Sequence, residues 1–508
     1  MRFSLTVFLT FVLMGLGFFY LTLAYTGKSF LLPTAAVVEV EARLNAGLAG
    51  ARLPAGASIS IGSVDFAVDT AFAPRLDLRD IRLIDGEGRS LLVLPEALVT
   101  FSARALLSGE IRPSTIRLSG ARLAMRRNAD GRFDLDLGAD EAGPKTLGEV
   151  RNIADRILGL PALAELMLVE ADALTLTLRD ERAQRSWQVG DGRLTILNAK
   201  DKLSAEFGLT LLHGQVPAQA TLRVVLGKGD GTGADGTDAG GARLSATVDN
   251  MASSDLAALS APLAWLALVD APISGTLNAG LAADGTVLAL AADLSLGAGS
   301  LSPTEGARPV EFDRARLSLG YDPIGARLTL AALEVESQSL RLRANGHGDL
   351  LDAAGAALLP GELPQSVVAQ IAFAEVMVDP EGMFEAPVRF GEGALDLRLR
   401  LDPFRIDIGQ LALIEGAESL RLHGTVEADP KGWGAALDLE VNQIEADRLL
   451  KLWPVSVVPL TRAWLVDNVG QASLTDVRAA LRLTPGKEPR FSLGYEFAEA
   501  EVRWDMLN

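Results

Sequence analysis

Apolar and polar residues alternate with a period of two along most of this chain. Leu174, Leu176 and Leu178 are interleaved with Thr175 and Thr177, and Leu340 and Leu342 with Arg341 and Arg343. Leu395, Leu397, Leu399 and Leu401 alternate with Asp396, Arg398 and Arg400, and Phe404, Ile406 and Ile408 with Arg405 and Asp407. Leu420 and Leu422 flank Arg421, and Leu437, Leu439 and Val441 alternate with Asp438 and Glu440. Successive side chains of a strand point to opposite faces, so this spacing predicts strands with one apolar and one wet face. Turn chemistry separates the segments at Asp85-Gly86, Asp130-Gly131, Asp284-Gly285, Asp402-Pro403, Asp429-Pro430 and Pro485-Gly486, which predicts antiparallel meanders. Between Leu76 and Leu78 on one side and Ile81 and Leu83 on the other the phase slips by one residue, which predicts a bulge near Arg79 and Asp80.

Helical spacing is confined to a few segments. Pro33 followed by Val37, Val40, Leu44 and Leu48, with a stop at Gly47 to Gly50, predicts a short amphipathic helix. Further helices are expected around Leu147 to Leu158, Asp255 to Leu268 and Leu460 to Asn468. The run from Phe3 to Tyr25 carries no charge and is bracketed by Arg2 and Lys28, long enough at about 1.5 Å per residue to cross a bilayer. It reads as an uncleaved membrane-spanning anchor. The rival is a cleavable signal peptide ending at Thr22, Leu23 and Ala24, but the run exceeds the roughly 7 to 15 residues of such an apolar region. The positive-inside rule then places the part after Lys28 across the membrane. The expected organisation is an anchor over residues 1–27, an N-terminal region over 28–142 with the short helix and first strands, and an elongated β region over 143–508. Gly227 to Gly241 reads as a solvated loop. Its Asp230, Asp235 and Asp238 lack the repeat and the terminal glutamate of a calcium turn.

Composition narrows the chemistry. Of 508 residues 49% are hydrophobic and 22% charged, so the chain folds. A formal charge of −18 repels phosphate backbones and argues against nucleic-acid partners. There is no cysteine and there are only three histidines, His213, His347 and His423, which excludes thiolate zinc sites, disulfides and cysteine nucleophiles. No nucleophile elbow, phosphate loop, zinc-protease or dinucleotide motif occurs. His347 and His423 read as solvent-facing, with no recognisable partner nearby in sequence, and carboxylates on the polar phase of strands are explained by solubility. No catalytic, cofactor or metal residue is therefore expected, and the chain does not read as an enzyme. Trp453 and Trp464 read as core.

The apolar face has to be covered, because each exposed Leu or Ile forgoes roughly 1.5–3 kcal/mol of burial. Helices are too scarce for the task. An outer-membrane barrel needs aromatic girdles, and only 28 residues are aromatic, four of them Tyr. Stacked β-sandwiches stay open as a reading. The other solution is a long sheet curled into an open trough whose lining meets lipid tails. About 30 strands at 4.7–4.9 Å spacing would make it on the order of 140 Å long, a conduit rather than a pocket. The expected fold is therefore mostly β: an N-terminal transmembrane helix, then a long antiparallel sheet curled into an open hydrophobic groove, with a few short helices. The candidate lipid-groove residues are Leu174, Leu176, Leu178, Leu340, Leu342, Leu395, Leu397, Leu399, Leu401, Ile406, Leu420, Leu422, Leu437, Leu439 and Val441.

Particular stretches resemble a known family. Leu76 to Leu83, Asp85 to Gly88, Leu106-Leu107-Ser108-Gly109-Glu110-Ile111 and Gly120 to Leu123 are similar to the N-terminal region of AsmA-like proteins, as is Asp270 to Gly275 followed by Asp284-Gly285. Trp453-Pro454, Arg462-Ala463-Trp464-Leu465 and Asn468 ahead of Gly470 resemble the YhdP-type branch. The resemblance implies a bacterial inner-membrane, single-pass protein anchored through residues 3–25 with its bulk in the periplasm. It implies a β-groove that moves phospholipid toward the outer membrane, similar to eukaryotic bridge-like lipid-transfer proteins. Members of that branch continue past the equivalent of Asn508, so the chain is expected to be part of a longer one. The alternative is an envelope scaffold or outer-membrane protein assembly factor acting through β-strand pairing with an envelope partner.

Overall fold

The computed structural model describes the chain outside residues 1–13, 49–55, 85–89, 128–132, 136–155, 181–184, 212–215, 228–240, 380–383, 499–508 and a few short interruptions. The protein is mostly β, with 62% strand and 16% helix, and no closed barrel is formed among the described residues. Two compact units are present: Met1–Ala246 with Leu281–Gly285, and Thr247–Gly280 with Thr286–Asn508.

In the first unit the main strands are β1 (Ser63–Val68), β2 (Pro74–Ile84), β3 (Ser90–Phe101), β4 (Pro113–Ser119), β5 (Arg122–Arg127), β6 (Leu168–Asp180), β7 (Arg185–Asn198), β8 (Lys202–Leu211) and β9 (Ala218–Gly227). β1 to β4 form one antiparallel meander and β6 to β9 another. The expectation of a wholly antiparallel sheet is corrected here: β4 and β5 both run parallel to β6, through Thr115 opposite Leu168 and Arg122 opposite Thr175. Parallel neighbours need a crossover of a dozen or more residues, which the chain between Arg127 and Leu168 supplies. The phase slip predicted near Asp80 is present without an inserted residue. Asp80 takes a left-handed φ of +52°, and the register runs unshifted from Arg79 opposite Glu96 to Ile81 opposite Leu94. Both strands change face together, so Leu76, Leu78 and Ile81 share one core with Val64, Leu94 and Ala97.

Helix α1 (Thr34–Leu48) follows the predicted span, and Val37 is buried in that same core with Val40 beside it. Leu44, expected inward, is exposed. The polar residues of the helix do the docking instead. The amides of Ile61 and Ile59 donate to Glu41 Oε1 and Asn45 Oδ1, both at 2.6 Å, and Asn45 Nδ2 donates to the Ile59 carbonyl at 3.0 Å. The short strand Ser58–Ser60, which pairs with β2, thus has hydrogen-bonding groups on its other side satisfied by a helix. A second short helix, α2 (Ala103–Leu107), connects β3 to β4 and is capped by Ser102. Ahead of α1, the described residues from 14 to 26 are helical. No helix among the described residues is long and apolar enough to cross a membrane, and the first part of the expected span lies outside them.

The second unit carries a ladder of eleven antiparallel strands: β10 (Val287–Leu296), β11 (Arg314–Asp322), β12 (Arg327–Glu336), β13 (Leu340–Leu351), β14 (Ser366–Val378), β15 (Glu392–Leu401), β16 (Phe404–Glu415), β17 (Glu418–Asp429), β18 (Gly432–Glu445), β19 (Ser473–Leu483) and β20 (Arg490–Ala498). Asp402-Pro403 and Asp429-Pro430 close tight hairpins as expected, with Leu401 opposite Phe404 and Asp429 opposite Gly432. Gly486 turns between β19 and β20 with a φ of +72°. The turns expected at Asp85, Asp130 and Asp284, most of the helix expected at Leu147 to Leu158, of which Arg156 and Leu158 are described as helical, and most of the Gly227 to Gly241 loop lie outside the described residues.

The helix expected over Asp255 to Leu268 divides into α3 (Ser253–Leu259) and a 3-10 segment, Ala261–Leu268. Pro262 explains the division, since it has no amide to donate back along an α-helix. Two further helices, α4 (Ala446–Leu452) and α5 (Pro459–Asn468), lie between β18 and β19. Only α5 is anticipated by helical spacing.

Candidate apolar binding face

Directly opposed residues of an antiparallel pair share a face, so the register identifies which side chains form continuous rows. One row crosses all eleven strands of the second unit: Ala292, Leu319, Leu330, Gly346, Ile371, Leu395, Leu411, Leu422, Leu439, Ala479 and Leu493. A second runs beside it through Leu290, Tyr321, Leu328, Gly348, Ala369, Leu397, Ile408, Gly424, Leu437, Leu481 and Phe491. Neither row contains a charged residue. Every large side chain in both is half-buried, and none is fully buried.

Most of the fully buried large side chains of this ladder lie toward the strand ends, while the small residues Ala292, Ala344 and Gly348 are buried nearer the middle. At one end Val376, Val388, Phe390 and Leu413 form a cluster with Leu452 of α4, and Val441, Ile444, Leu474 and Val477 form another beside it. At the other end Ala307, Phe404 and Ala428 pack with Trp433, and Ala326 and Leu350 pack with Leu358. A second sheet laid over this face would bury its middle most deeply and its margins least. For most of the large side chains the observed order is the reverse.

Small residues at phase slips keep the rows continuous. Gly409 is an extra residue in β16 relative to both neighbours, so Ile408 and Leu411, three apart, stay on one face. Ala331 does the same in β12, and Ala374 adds a residue to β14 relative to β13. Where a row passes Gly346, the neighbouring backbone comes so close that a Cβ would lie 2.1 Å from the Gln370 carbonyl oxygen, which explains a glycine among leucines.

The expected lining residues are distributed as follows. Leu395, Leu397, Leu422, Leu437 and Leu439 lie in the two half-buried rows; Leu399 and Ile406 oppose each other in a third. Leu420 and Val441 oppose each other, Val441 within a buried end cluster and Leu420 packed against it. Leu342 packs against the Val376 cluster, Leu340 is half-buried opposite Val378, and Leu401 is exposed at a hairpin end. In the first unit Leu174 is buried with Val37, Leu78 and Ala171 as protein core, and Leu176 is half-buried opposite Val189. The side chain of Leu178 lies outside the described residues. Leu319, Leu330, Ile371, Leu411 and Phe491 join the rows without having been anticipated. For Leu411 a signal exists in Gly409 and Gln410, which mark the slip.

The opposite face is laced with ion pairs. Arg314 reaches Glu336 at 2.6 Å, Arg327 reaches Asp349 at 2.7 Å, and Asp407 accepts from Arg400 at 2.6 Å and Arg405 at 2.7 Å. The hydrogen bond from Arg327 holds the Asp349 carboxyl below the usual range, and Arg314 does so for Glu336. For Asp407 partial burial pushes upward, but the two arginines outweigh it and its value is lowered. His423 is mostly exposed, with Nε2 4.0 Å from Asp438 Oδ2, and His347 lies half-buried on the same charged face, opposite Thr329 and Gln370. Trp453 is buried as expected, but Trp464 is exposed on α5, from which Arg462 pairs with the exposed Glu385 at 2.7 Å and donates to the Leu450 carbonyl at 3.2 Å. Among the described residues there is no cluster of three or more metal-ligating side chains.

What this face offers is a broad surface without charged residues, with a charged reverse side. Comparison with protein-family models, with curated proteins and with solved structures finds no match.

Proposed function

We propose that the protein is a lipid-transfer protein, anchored in the bacterial inner membrane through residues 3–25, that carries phospholipid along a hydrophobic β-groove in the periplasm toward the outer membrane. The observation that carries this reading is the burial pattern of the second unit's sheet: the large apolar side chains of two rows that cross eleven strands are half-buried, while clusters toward the strand ends are packed. Such rows are stabilised by guest acyl chains, which remove apolar surface from water at about 25 cal/mol per Å². Charged headgroups are costly to bury and stay at the open side. Bulges at Ala331, Ala374 and Gly409 support a curl, since an extra residue bends its strand and increases twist. The uncharged run from Phe3 to Tyr25 supports the anchor.

A photo-crosslinker placed at Leu397 and activated in cells is expected to capture phospholipid, identified by mass spectrometry of the adduct and of organic extracts from gently purified protein. Adducts with protein alone, in lipid-free preparations, would overturn the conduit and favour assembly through strand pairing.

A further inference from the structure

Several exposed apolar residues of the first unit lie at one end of its sheet. β1 ends and β2 begins at the loop 69–73. Thr100 near the end of β3 opposes Arg75 near the start of β2, and Phe101 opposes Pro113 at the start of β4. Thr115 opposes Leu168, so β6 also begins there. The loops at this end carry Phe72 (53% exposed), Leu107 (91%), Ile111 (62%), Leu160 (50%) and Met167 (57%). No core residue of the unit explains side chains of this size held in water.

The N-terminal helix indicates what they meet. The Tyr20 hydroxyl donates to the Phe72 carbonyl, and Tyr20 and Ala24 pack against Phe66 and Val68 at the end of β1. Tyr20 lies five residues inside the uncharged run that ends at Tyr25, about 7.5 Å along a helix. A loop bound at that level sits at the depth of an interfacial insertion, roughly 5–10 Å into the headgroup and acyl boundary.

We propose that this end of the first unit is a membrane-seated surface, in which the loops bearing Phe72, Leu107, Ile111 and Met167 insert into the lipid interface beside the Tyr20 helix. The sheet's first strands then begin at the bilayer, a mouth through which a lipid passes from membrane to protein without crossing water. The inference rests on the anchor reading of residues 3–25 and adds to it a second, independent attachment.

The chain has no cysteine, so single substitutions can be labelled uniquely. Full-length L107C, M14C and V216C, the last in a loop at the opposite end of the sheet, would each carry an NBD probe in phosphatidylethanolamine–phosphatidylglycerol vesicles containing brominated lipid. The expected result is a blue shift and quenching at positions 14 and 107 and neither at 216. Quenching at 14 with an aqueous signal at 107 overturns the seating and leaves the anchor standing. Quenching at 107 but not 14 upholds the seating and removes the anchor, and no quenching at either overturns both.

Discussion

Asp77 and Asp349 show opposite ways in which a carboxylate enters this fold. Asp77 is only 9% exposed, 3.3 Å from Arg75 and with one oxygen lacking a hydrogen-bond donor. Burial raises its pKa, Asp65 and Glu96 push the same way, and Arg75 and Arg79 oppose them. Asp349, gripped by Arg327, is lowered. Linkage gives the signs. A raised folded-state pKa means that the native state binds the proton more tightly, so Asp77 adds stability as pH falls through its raised value toward the unfolded one. A lowered pKa means that the contribution of Asp349 is present above its unfolded value and is lost as pH falls through the folded one. In urea unfolding series from pH 7 to pH 3, wild type should gain on Asp77→Asn as acid is added and lose its advantage over Asp349→Asn. Parallel trends for the two variants would refute these assignments.

Among the elements, α1 is the one whose role its apolar spacing describes least well. Val37 and Val40 reach the core, but the seat of the helix on Ser58–Ser60 is made by Glu41 and Asn45. Amphipathic periodicity reports apolar burial and says nothing of side chains that satisfy a strand's backbone. Asn45→Ala leaves the Ile59 amide without its acceptor and should cost about 1 kcal/mol, within the range for an orphaned donor. Hydrogen exchange should show lost protection at Ile59 while the amides of β3 keep theirs; an unchanged Ile59 amide would mean the helix does not hold that edge. Strands β13 and β15 to β18, in contrast, were legible from their alternating apolar residues, because the two-residue period is a property of the strand itself.

At the scale of the whole molecule, the question is what covers an apolar face that the protein leaves half-buried. Leu397→Glu puts a charge in the middle of that face, where the leucine forgoes only part of the roughly 1.5–3 kcal/mol of full burial, so the fold should lose about 1 kcal/mol. Lipid carriage should fall severely, read as phospholipid recovered per protein and as transfer between donor and acceptor vesicles. A folded variant with unchanged transfer would sink the conduit. The alternation of Leu395 to Leu401 and of Leu437 to Val441 by itself determined that this would be a β protein with one greasy and one wet face, since side-chain direction in a strand depends only on the residue's own backbone. Tertiary structure alone decided that Leu397 lies in an open row while Val441 and Leu174 are packed core, that β6 runs parallel to β4, and that Gly409 realigns Leu411 with Ile408. Those outcomes depend on which distant segments pair and what lies above them, and neither is encoded in a period of two.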